Sequence, residues 1–297
     1  MHKTNLIRIF LLLLAVLGIW YFILKSYDYS ISFKAAGLPG EVYQKILAFD
    51  YENLGNINDL NRTPFNEIEQ QASVEGTNLE ITWLFEEEND STTRVKVLVN
   101  EENTFLSRLQ LLTGSSTTQE ILSQDLKRLK WALEMDTEQY KVEITGMVPS
   151  PAATCACISL ENKIEKKAGD MMQTIGRLAE FMKQNELEMA GKPRIQVNNW
   201  DLPANKIFYE FCFPIGTGSI KVPAKGIYFK DFPAKNSIHA IYNGNYMYSH
   251  LAWIRILDYA EKNNHEITKT PLEIFQENPE LGGDSRFWRA DIYLPLK

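Results

Sequence analysis

IGRLAEFMKQNELEMAGKP, at residues 175–193, is similar to WIRILDYAEKNNHEITKTP, at residues 253–271. This similarity decides the predicted fold of the second half of the chain. The two copies align proline on proline, 78 residues apart. The segments YEFCFPI (209–215) and ADIYLPL (290–296) follow the two copies and align 81 residues apart. A nearly constant spacing is typical of an internal repeat. The sequence therefore predicts a duplicated unit.

Each copy has the pattern strand, helix, strand, strand. Apolar residues at helical spacing form a stripe on both helices: Met171, Ile175, Leu178 and Met182 in the first, Trp253, Leu257 and Ala260 in the second. Such stripes usually face a hydrophobic core. We therefore expect the two halves to pack into one α+β domain over residues 137–297.

A second unit with another pattern precedes the repeat. Alternating residues predict a strand at Tyr29–Lys34, and a helix is expected at Glu41–Tyr51. Two β-rich runs at residues 79–86 and 93–99, joined by a polar turn, indicate a hairpin. A long helix is expected at Thr117–Glu134, since Glu120 follows Thr117 as in a capping box and Ile121, Leu122, Leu126, Leu129 and Leu133 form one stripe.

This order of strand, helix, antiparallel strands and long closing helix resembles the START-like (SRPBCC) superfamily over residues 28–136. The resemblance implies a helix-grip fold, in which a curved sheet wraps the last helix around a cavity for apolar ligands. An α+β domain with a solid core fits the same pattern. Both interpretations stay open at this point.

The N-terminus contains a candidate membrane segment. Residues 9–24 carry no charge, and with Leu6, Ile7 and a snorkelling Arg8 the apolar run is long enough to span a bilayer. The alternative is a cleaved signal peptide, but the sequence after Leu24 lacks a small-x-small cleavage site. We predict a transmembrane helix at residues 5–25. Lys3 and Arg8 precede the segment, which favours an extracytoplasmic position for the rest of the chain.

Composition excludes several classes of function. Beyond residue 25 the chain has 28 basic and 38 acidic residues, a net charge of −10 that disfavours nucleic acid as a partner. The histidines have no metal-ligand spacing, so neither a metal nor another cofactor is expected. Cys155 and Cys157 share a strand face and Cys212 lies on another strand, which predicts a buried thiol cluster rather than a nucleophile.

The segment AIYNGNYMYSHLAWIRILDYA (240–260) and the ending WRADIYLP (288–295) resemble the GyrI-like effector-binding domain, also found in AraC- and MerR-type regulators. The likeness covers residues 140–297. It rests on a YxGxY element before a helix, together with an acid four residues before the terminal proline. The resemblance implies an aromatic groove between the repeats, with an acidic residue on the last strand.

Five ligand-binding residues follow from the resemblance and the repeat: Asp291, Glu210, Tyr242, Tyr246 and Trp288. Asp291 stands where the family usually has Glu, and Glu210 is its equivalent in the first repeat. Tyr242 and Tyr246 match the family's tyrosines, and Trp288 lies in the loop before the last strand. Aromatic faces and a carboxylate attract cations. Alternatively, Asp291 and Glu210 are solvated strand-edge acids and the tyrosines pack as ordinary half-buried residues.

These observations predict a membrane-anchored protein that binds an amphipathic or cationic small molecule. Two alternatives remain. One is a hydrolase of strained electrophilic compounds, in which Asp291 or Glu210 activates water and Tyr246 donates a proton. The other is a protein-protein interaction module with a vestigial groove. Binding without catalysis is the preferred interpretation.

The anchor has a direct test. The full-length protein should stay with membranes through a carbonate wash, because an uncharged helix of this length inserts into the hydrocarbon core. A chain shortened to begin at Lys25 should be soluble, and recovery of a processed, freely soluble form from the native host would contradict the anchor.

Overall fold

Two antiparallel sheets organise the chain, one in each of two structural units, Met1–Glu134 and Met135–Lys297. The computed structural model describes residues 2–102, 104–114, 116–216 and 224–297. Helices accompany both sheets, which confirms the predicted α+β class.

The N-terminal segment is helical, as predicted. Helix α1 (His2–Ile19) continues as a π-helical segment, Trp20–Leu24. The stretch Ile7–Leu24 has a mean hydropathy of 2.5, and none of it is buried. It has the length and composition of either a membrane span or a signal sequence.

The first unit contains five strands and three further helices. They are β1 (Tyr29–Ala36), α2 (Pro39–Ala48), β2 (Gly55–Thr63), β3 (Glu67–Val74), β4 (Thr77–Asn89), β5 (Thr92–Glu101), α3 (Thr104–Thr113) and α4 (Thr117–Asp136). The sheet order is β1-β5-β4-β3-β2, with all pairs antiparallel. The predicted strand, hairpin and closing helix are present, whereas β2, β3 and α3 were not predicted.

Strands β2 and β3 were not predicted because neither shows the regular apolar alternation of a half-buried strand. Residues along β2 are almost all exposed, so the strand has no apolar alternation and depends on pairing with β3. In β3 the buried position Gln70 breaks the apolar pattern. Its amide oxygen accepts a hydrogen bond of 2.8 Å from the Trp83 indole, and its nitrogen donates to Asp59. Burial of Gln70 is therefore possible because both ends of its amide are satisfied.

The interior of the first unit is a packed hydrophobic core. Leu122, Leu126, Leu129 and Leu133 of α4 are buried there together with Trp83, and Ile121 packs against the same cluster. These leucines form the stripe predicted for this helix. The START-like assignment of residues 28–136 remains a prediction.

The second unit is an eight-stranded sheet with two helices. Its elements are β6 (Tyr140–Pro149), β7 (Ala153–Lys163), α5 (Lys167–Gln184), β8 (Arg194–Asp201), β9 (Lys206–Pro214), β10 (Tyr228–Phe232), β11 (Asn236–Gly244), α6 (Leu251–Lys262), β12 (Leu272–Phe275) and β13 (Arg289–Pro295). The strand order is β10-β7-β9-β8-β12-β13-β11-β6. Strands β7, β9 and β8 therefore mirror β11, β13 and β12 across the central β8–β12 pair. The duplication of the unit remains a prediction, and we call residues 137–215 and 224–297 its two halves.

The cysteines require a correction. They cluster and are buried as predicted, but Cys157 of β7 and Cys212 of β9 form a disulfide, so the cluster is not one of three thiols. The two residues are direct partners in the strand register, which brings their Cα atoms to 4.1 Å. Cys155 is free, and burial raises the pKa of its thiol to about 11. A protonated, buried thiol is a poor nucleophile.

A buried ion pair joins the two halves of the second unit. Lys167, the first residue of α5, places its Nζ 2.7 Å from Glu273 Oε2 on β12, and both side chains are fully buried. Ser249 donates to the same carboxylate oxygen at 2.9 Å. The Lys167 ammonium also lies 5.2 Å from the centre of the Trp253 ring. Burial lowers the pKa of Lys167, while the Glu273 carboxylate opposes that shift.

Replacing only Lys167 should lower the free energy of unfolding strongly, whereas replacing both Lys167 and Glu273 should lower it much less. Lys167→Met leaves a carboxylate buried without its cation, and we expect a loss of about 3–5 kcal/mol in the free energy of unfolding. The double variant Lys167→Met/Glu273→Leu should recover most of that loss. Urea unfolding of the full chain in detergent, followed by circular dichroism, measures both; a double variant as unstable as the sum of the single ones would contradict the coupling.

Candidate functional site

A cavity of about 610 Å³ lies between the two halves of the second unit. Helix α5 forms one wall, with Met171, Met172 and Ile175. The remaining lining residues come from the loop between α5 and β8, from β9, from the turn after β11, from the end of β12 and from the segment between β12 and β13. Both halves therefore contribute to one cavity, in the size range of sites for drug-sized ligands.

Aromatic rings dominate the inner part of the cavity. Phe211 and Phe213 come from β9, and Phe275 ends β12. The ring of Tyr246 lies 4.8 Å from that of Phe275 and 5.6 Å from that of Trp288, with tilted planes. Tyr246 and Trp288 are two of the five residues predicted from the sequence. The three phenylalanines were not predicted to line a site, because their positions on the strands are equally typical of residues in a hydrophobic core.

The predicted core stripe of α5 divides between two environments. Leu178 and Met182 are buried, whereas Met171 and Ile175 are only partly covered and line the cavity. Methionines also surround the opening, where Met172, Met189 and Met247 are each about half exposed. Unbranched, polarizable side chains of this kind adapt to ligands of different shape.

One acidic side chain at the cavity is held in place by neighbouring donors. The Glu277 carboxylate accepts a hydrogen bond from the backbone N–H of Arg289, and its Oε2 lies 3.1 Å from the Tyr246 hydroxyl. That hydroxyl donates to the Arg289 carbonyl at 2.7 Å, and it accepts from the Glu277 N–H. Burial raises the pKa of Tyr246. Glu277 was not predicted, since a single Glu in the polar loop QENPE carries no pattern.

Asp291 lies on the other face of the sheet. Ala290 is the register partner of Phe275, which lines the cavity, and neighbouring residues of a strand point to opposite faces. The Asp291 carboxylate is bound by Arg289 at 2.7 Å, Gln276 at 2.7 Å and His239 at 3.1 Å. Burial opposes ionisation, but these three hydrogen bonds outweigh it and lower the pKa of Asp291 to about 2.

Glu210 has a similar position in the first half. It precedes Phe211 on β9 and therefore points away from the cavity. Lys230 contacts both of its carboxylate oxygens at 2.8 Å, and Tyr228 donates to one of them at 2.7 Å. Burial, followed by the contact with Glu210, raises the pKa of Tyr228 to about 12 although Ser159 opposes the shift. Glu210 and Asp291 occupy equivalent places, each beside a cation.

Tyr242 shapes the turn that carries Tyr246. It is fully buried, stacks on Tyr140 and donates a hydrogen bond of 2.8 Å to the Asn245 carbonyl. Gly244 has a φ of 152°, and a Cβ atom there would lie 2.6 Å from the Tyr242 hydroxyl. Only glycine fits under this tyrosine. The YxGxY element thus places Tyr246 in the cavity, while Tyr242 supports it from outside.

Comparisons with known proteins give the family to which the second half of the chain is similar. The sequence profile of the GyrI-like small molecule binding domain matches residues 147–297, just over half of the chain. No curated protein sequence matches the chain.

Several solved structures resemble the second half of the chain at low identity. The crystal structure of the EcmrR C-terminal domain is 19% identical, with a TM-score of 0.44, and the match covers 53% of this chain and 98% of that one. A hydrolase encoded by lin2189 from Listeria innocua is 10% identical with a TM-score of 0.34, covering 53% and 92% of the two chains. SAV2435 bound to tetraphenylphosphonium is 11% identical with a TM-score of 0.31, covering 54% and 94%.

The environment of Asp291 generates a pH prediction. Because its pKa is lower in the folded protein than the value near 3.9 of an unfolded chain, ionised Asp291 stabilises the fold above about pH 4, and that contribution disappears as the pH falls towards 2. Asp291→Asn should therefore reduce the free energy of unfolding by about 1 kcal/mol at pH 7, allowing for its partial solvent contact. In urea unfolding of the full chain in detergent, the difference between the two proteins should shrink below pH 4. A difference that stays constant to pH 2 would exclude this role.

Proposed function

The chain belongs to the family of GyrI-like small-molecule binding domains, and from that premise we propose that it binds an amphipathic organic cation in the cavity of residues 147–297, close to a membrane that its N-terminal helix spans. The observation that carries this proposal is the position of the Glu277 carboxylate, 3.1 Å from the hydroxyl of Tyr246, whose ring packs against that of Trp288 in the same cavity. An anionic group and aromatic faces at one opening attract the same class of ligand.

The lining supports a ligand with a large apolar part. Phe211, Phe213 and Phe275 cover the inner surface, and the methionines at the opening are the adaptable part of the wall. Removing apolar surface from water supplies most of the affinity in such sites. An amphipathic molecule would bury its apolar body against these rings and keep its charged group near the opening.

The charges at the opening support a cation. Glu277 and Glu280 lie there together with Lys192, whose Nζ donates to the Gln276 carbonyl at 2.7 Å. In the part of the chain that the structure describes, no lysine or arginine lies within ion-pair distance of Glu277. The backbone N–H of Arg289 donates a hydrogen bond to the carboxylate and orients it without adding a net charge. The Arg289 guanidinium pairs with Asp291 and acts on Glu277 only through longer-range electrostatics, so a ligand cation would meet a carboxylate that no side-chain ion pair holds.

The connection between the N-terminal helix and the first unit supports an anchor over a cleaved signal. Arg108 donates to the backbone carbonyls of Tyr21 and Lys25 at 2.7 Å each, and its Nε binds Asp28 at the same distance. Cleavage after Leu24 would remove one of these partners. Lys3 precedes the span and Arg8 lies in its first turn, so we propose that the rest of the chain lies on the extracytoplasmic side.

Binding is a better interpretation of the cavity than hydrolysis. The Tyr246 proton already bonds the Arg289 carbonyl at 2.7 Å, and burial raises the pKa of this hydroxyl, so it is a weak proton donor. Asp291 and Glu210, the acids assigned to water activation, lie on the other face of the sheet. The accessible methionines at the opening also disfavour a closed, vestigial groove.

The role of the Glu277 carboxylate is tested with tetraphenylphosphonium as the cation and with triphenylphosphine oxide as a neutral compound that has three of the same four phenyl groups on phosphorus. We expect Glu277→Gln to weaken binding of the cation about 10-fold, as charge-assisted contacts contribute roughly 1.5–3 kcal/mol, and to leave binding of the neutral compound nearly unchanged. Titration calorimetry on the chain shortened to begin at Lys25 avoids partition of the cation into lipid.

Asp291→Asn is the matched control, since it removes one carboxylate from the opposite face of the same sheet. It should change the affinity for the cation less than 2-fold. If Asp291→Asn weakens binding and Glu277→Gln does not, the carboxylate implied by the family resemblance is the right one. Equal affinity in all three proteins would remove the charge from the proposal.

A further inference from the structure

Helix α3 (Thr104–Thr113) exposes an apolar stripe while it buries two polar side chains. Ser107 and Arg108 are buried, with 4% and 3% of their surface exposed. Three of its large apolar residues, Phe105, Leu109 and Leu112, are exposed, at 61%, 46% and 60%. Residues at i, i+4 and i+7 lie along one side of a helix. The exposed residues therefore form one apolar stripe.

The orientation of α3 is fixed by satisfied polar contacts. The Arg108 guanidinium binds Asp28 and two backbone carbonyls, and the second oxygen of Asp28 accepts the Glu101 N–H at 2.8 Å. Ser107 donates to the Glu101 carboxylate. On the inner side, Leu111 packs against the hydrophobic core of the first unit. The helix cannot rotate to bury its apolar stripe without breaking these contacts.

The stripe begins at the end of the N-terminal helix. The rings of Phe22 and Phe105 lie 5.3 Å apart, and the Tyr21 hydroxyl donates to the Arg108 carbonyl at 3.3 Å. At 1.5 Å per residue, the 18 residues of Ile7–Leu24 extend over roughly 27 Å, close to the thickness of a bilayer core. Phe22 is in the last turn of that stretch, so a helix that spans the bilayer would bring Phe105 to the depth where acyl chains meet headgroups.

The residues next to this point suit a membrane interface. Lys25 lies over the rings of Tyr21 and Tyr27, and Lys96 also lies over the Tyr27 ring. Tyrosine and lysine at the end of a span are typical of the headgroup region. The only charged residue of α3, Arg108, points inward. The outer side of α3 therefore meets lipid without burying a charge.

We propose that α3 lies in the membrane interface beside the anchor, with Phe105, Leu109 and Leu112 inserted among the upper acyl chains of phospholipids. This rests on the proposed membrane anchor and adds a second contact with the bilayer. A single span permits the first unit to rotate and tilt relative to the membrane. Contact of both the anchor helix and α3 with the same leaflet would fix the orientation of the first unit. Continuity with the anchor favours lipid over a second copy of the chain or another protein as the occupant.

Depth-dependent quenching tests the proposal on the full chain in nanodiscs containing phosphatidylcholine with a spin label high in its acyl chain. A fluorophore is attached at Leu109→Cys. The native cysteines do not interfere, because all three are buried and two form a disulfide. We expect the spin-labelled lipid to quench the fluorophore at least 2-fold.

Two further sites calibrate the measurement. Leu13→Cys lies within the span and reports whether the anchor is inserted. Leu60→Cys on β2 is a matched control, because it is also an exposed leucine of the first unit, at 54%, on the sheet edge opposite β1. Quenching should occur at Leu13 and be absent at Leu60. Leu112→Cys repeats the test on the same stripe if the substitution at Leu109 prevents folding.

The outcomes separate this inference from the anchor itself. Quenching at Leu13 with none at Leu109 and Leu112 overturns the interfacial helix and leaves the anchor standing. Absence of quenching at Leu13 overturns both. A fluorophore at Leu109 that is shielded from water but not quenched by lipid means that protein covers the stripe, which also overturns the proposal.

Discussion

Each strand of the eight-stranded sheet turns successive side chains to opposite faces, and this constraint decides which acidic and aromatic residues of the second unit meet. On β9 it sends Phe211 into the cavity and Glu210 away from it. On β13 it places Asp291 on the face opposite Phe275, whose register partner is Ala290. The position of a residue along its strand thus decides the face of the sheet on which its side chain lies. An alignment of the two halves does not show which of the two faces forms the cavity.

The sequence predicts most of the architecture and part of the site. The repeat, the helices with apolar stripes and the hairpin follow from periodicity, because burial of one face imposes a regular pattern. Strands β2 and β3 do not, since β2 has no buried face and Gln70 in β3 is buried through hydrogen bonds to side chains distant in sequence. Tyr246 and Trp288 were identified from a local motif, whereas Glu277 owes its place to contacts made after the chain has folded.

The orientation of helix α3 could not be predicted from its pattern of apolar and polar residues. An amphipathic pattern identifies two sides of a helix, and the usual assumption assigns the apolar side to the core. Here the ion pair between Arg108 and Asp28, together with carbonyls at the end of the N-terminal helix, holds the polar side inward. Buried charges need partners, and these partners come from a segment about 80 residues earlier in the chain. The exposed apolar side is then a consequence of satisfying one arginine.

Asp291 and Glu277 differ in what a cation would gain from each. Asp291 already binds Arg289, His239 and Gln276, and its low pKa reflects that compensation. A ligand cation at Asp291 would have to displace Arg289 and would gain only the difference between two similar ion pairs. Glu277 accepts a hydrogen bond from the backbone N–H of Arg289, which orients the carboxylate and carries no net charge. The Tyr246 hydroxyl lies 3.1 Å from the same carboxylate, with its proton on the Arg289 carbonyl. A ligand cation at Glu277 would displace no ion pair of this carboxylate, so we propose the loop after β12, rather than the acid of the last strand, as the source of charge selectivity in a cation-binding cavity.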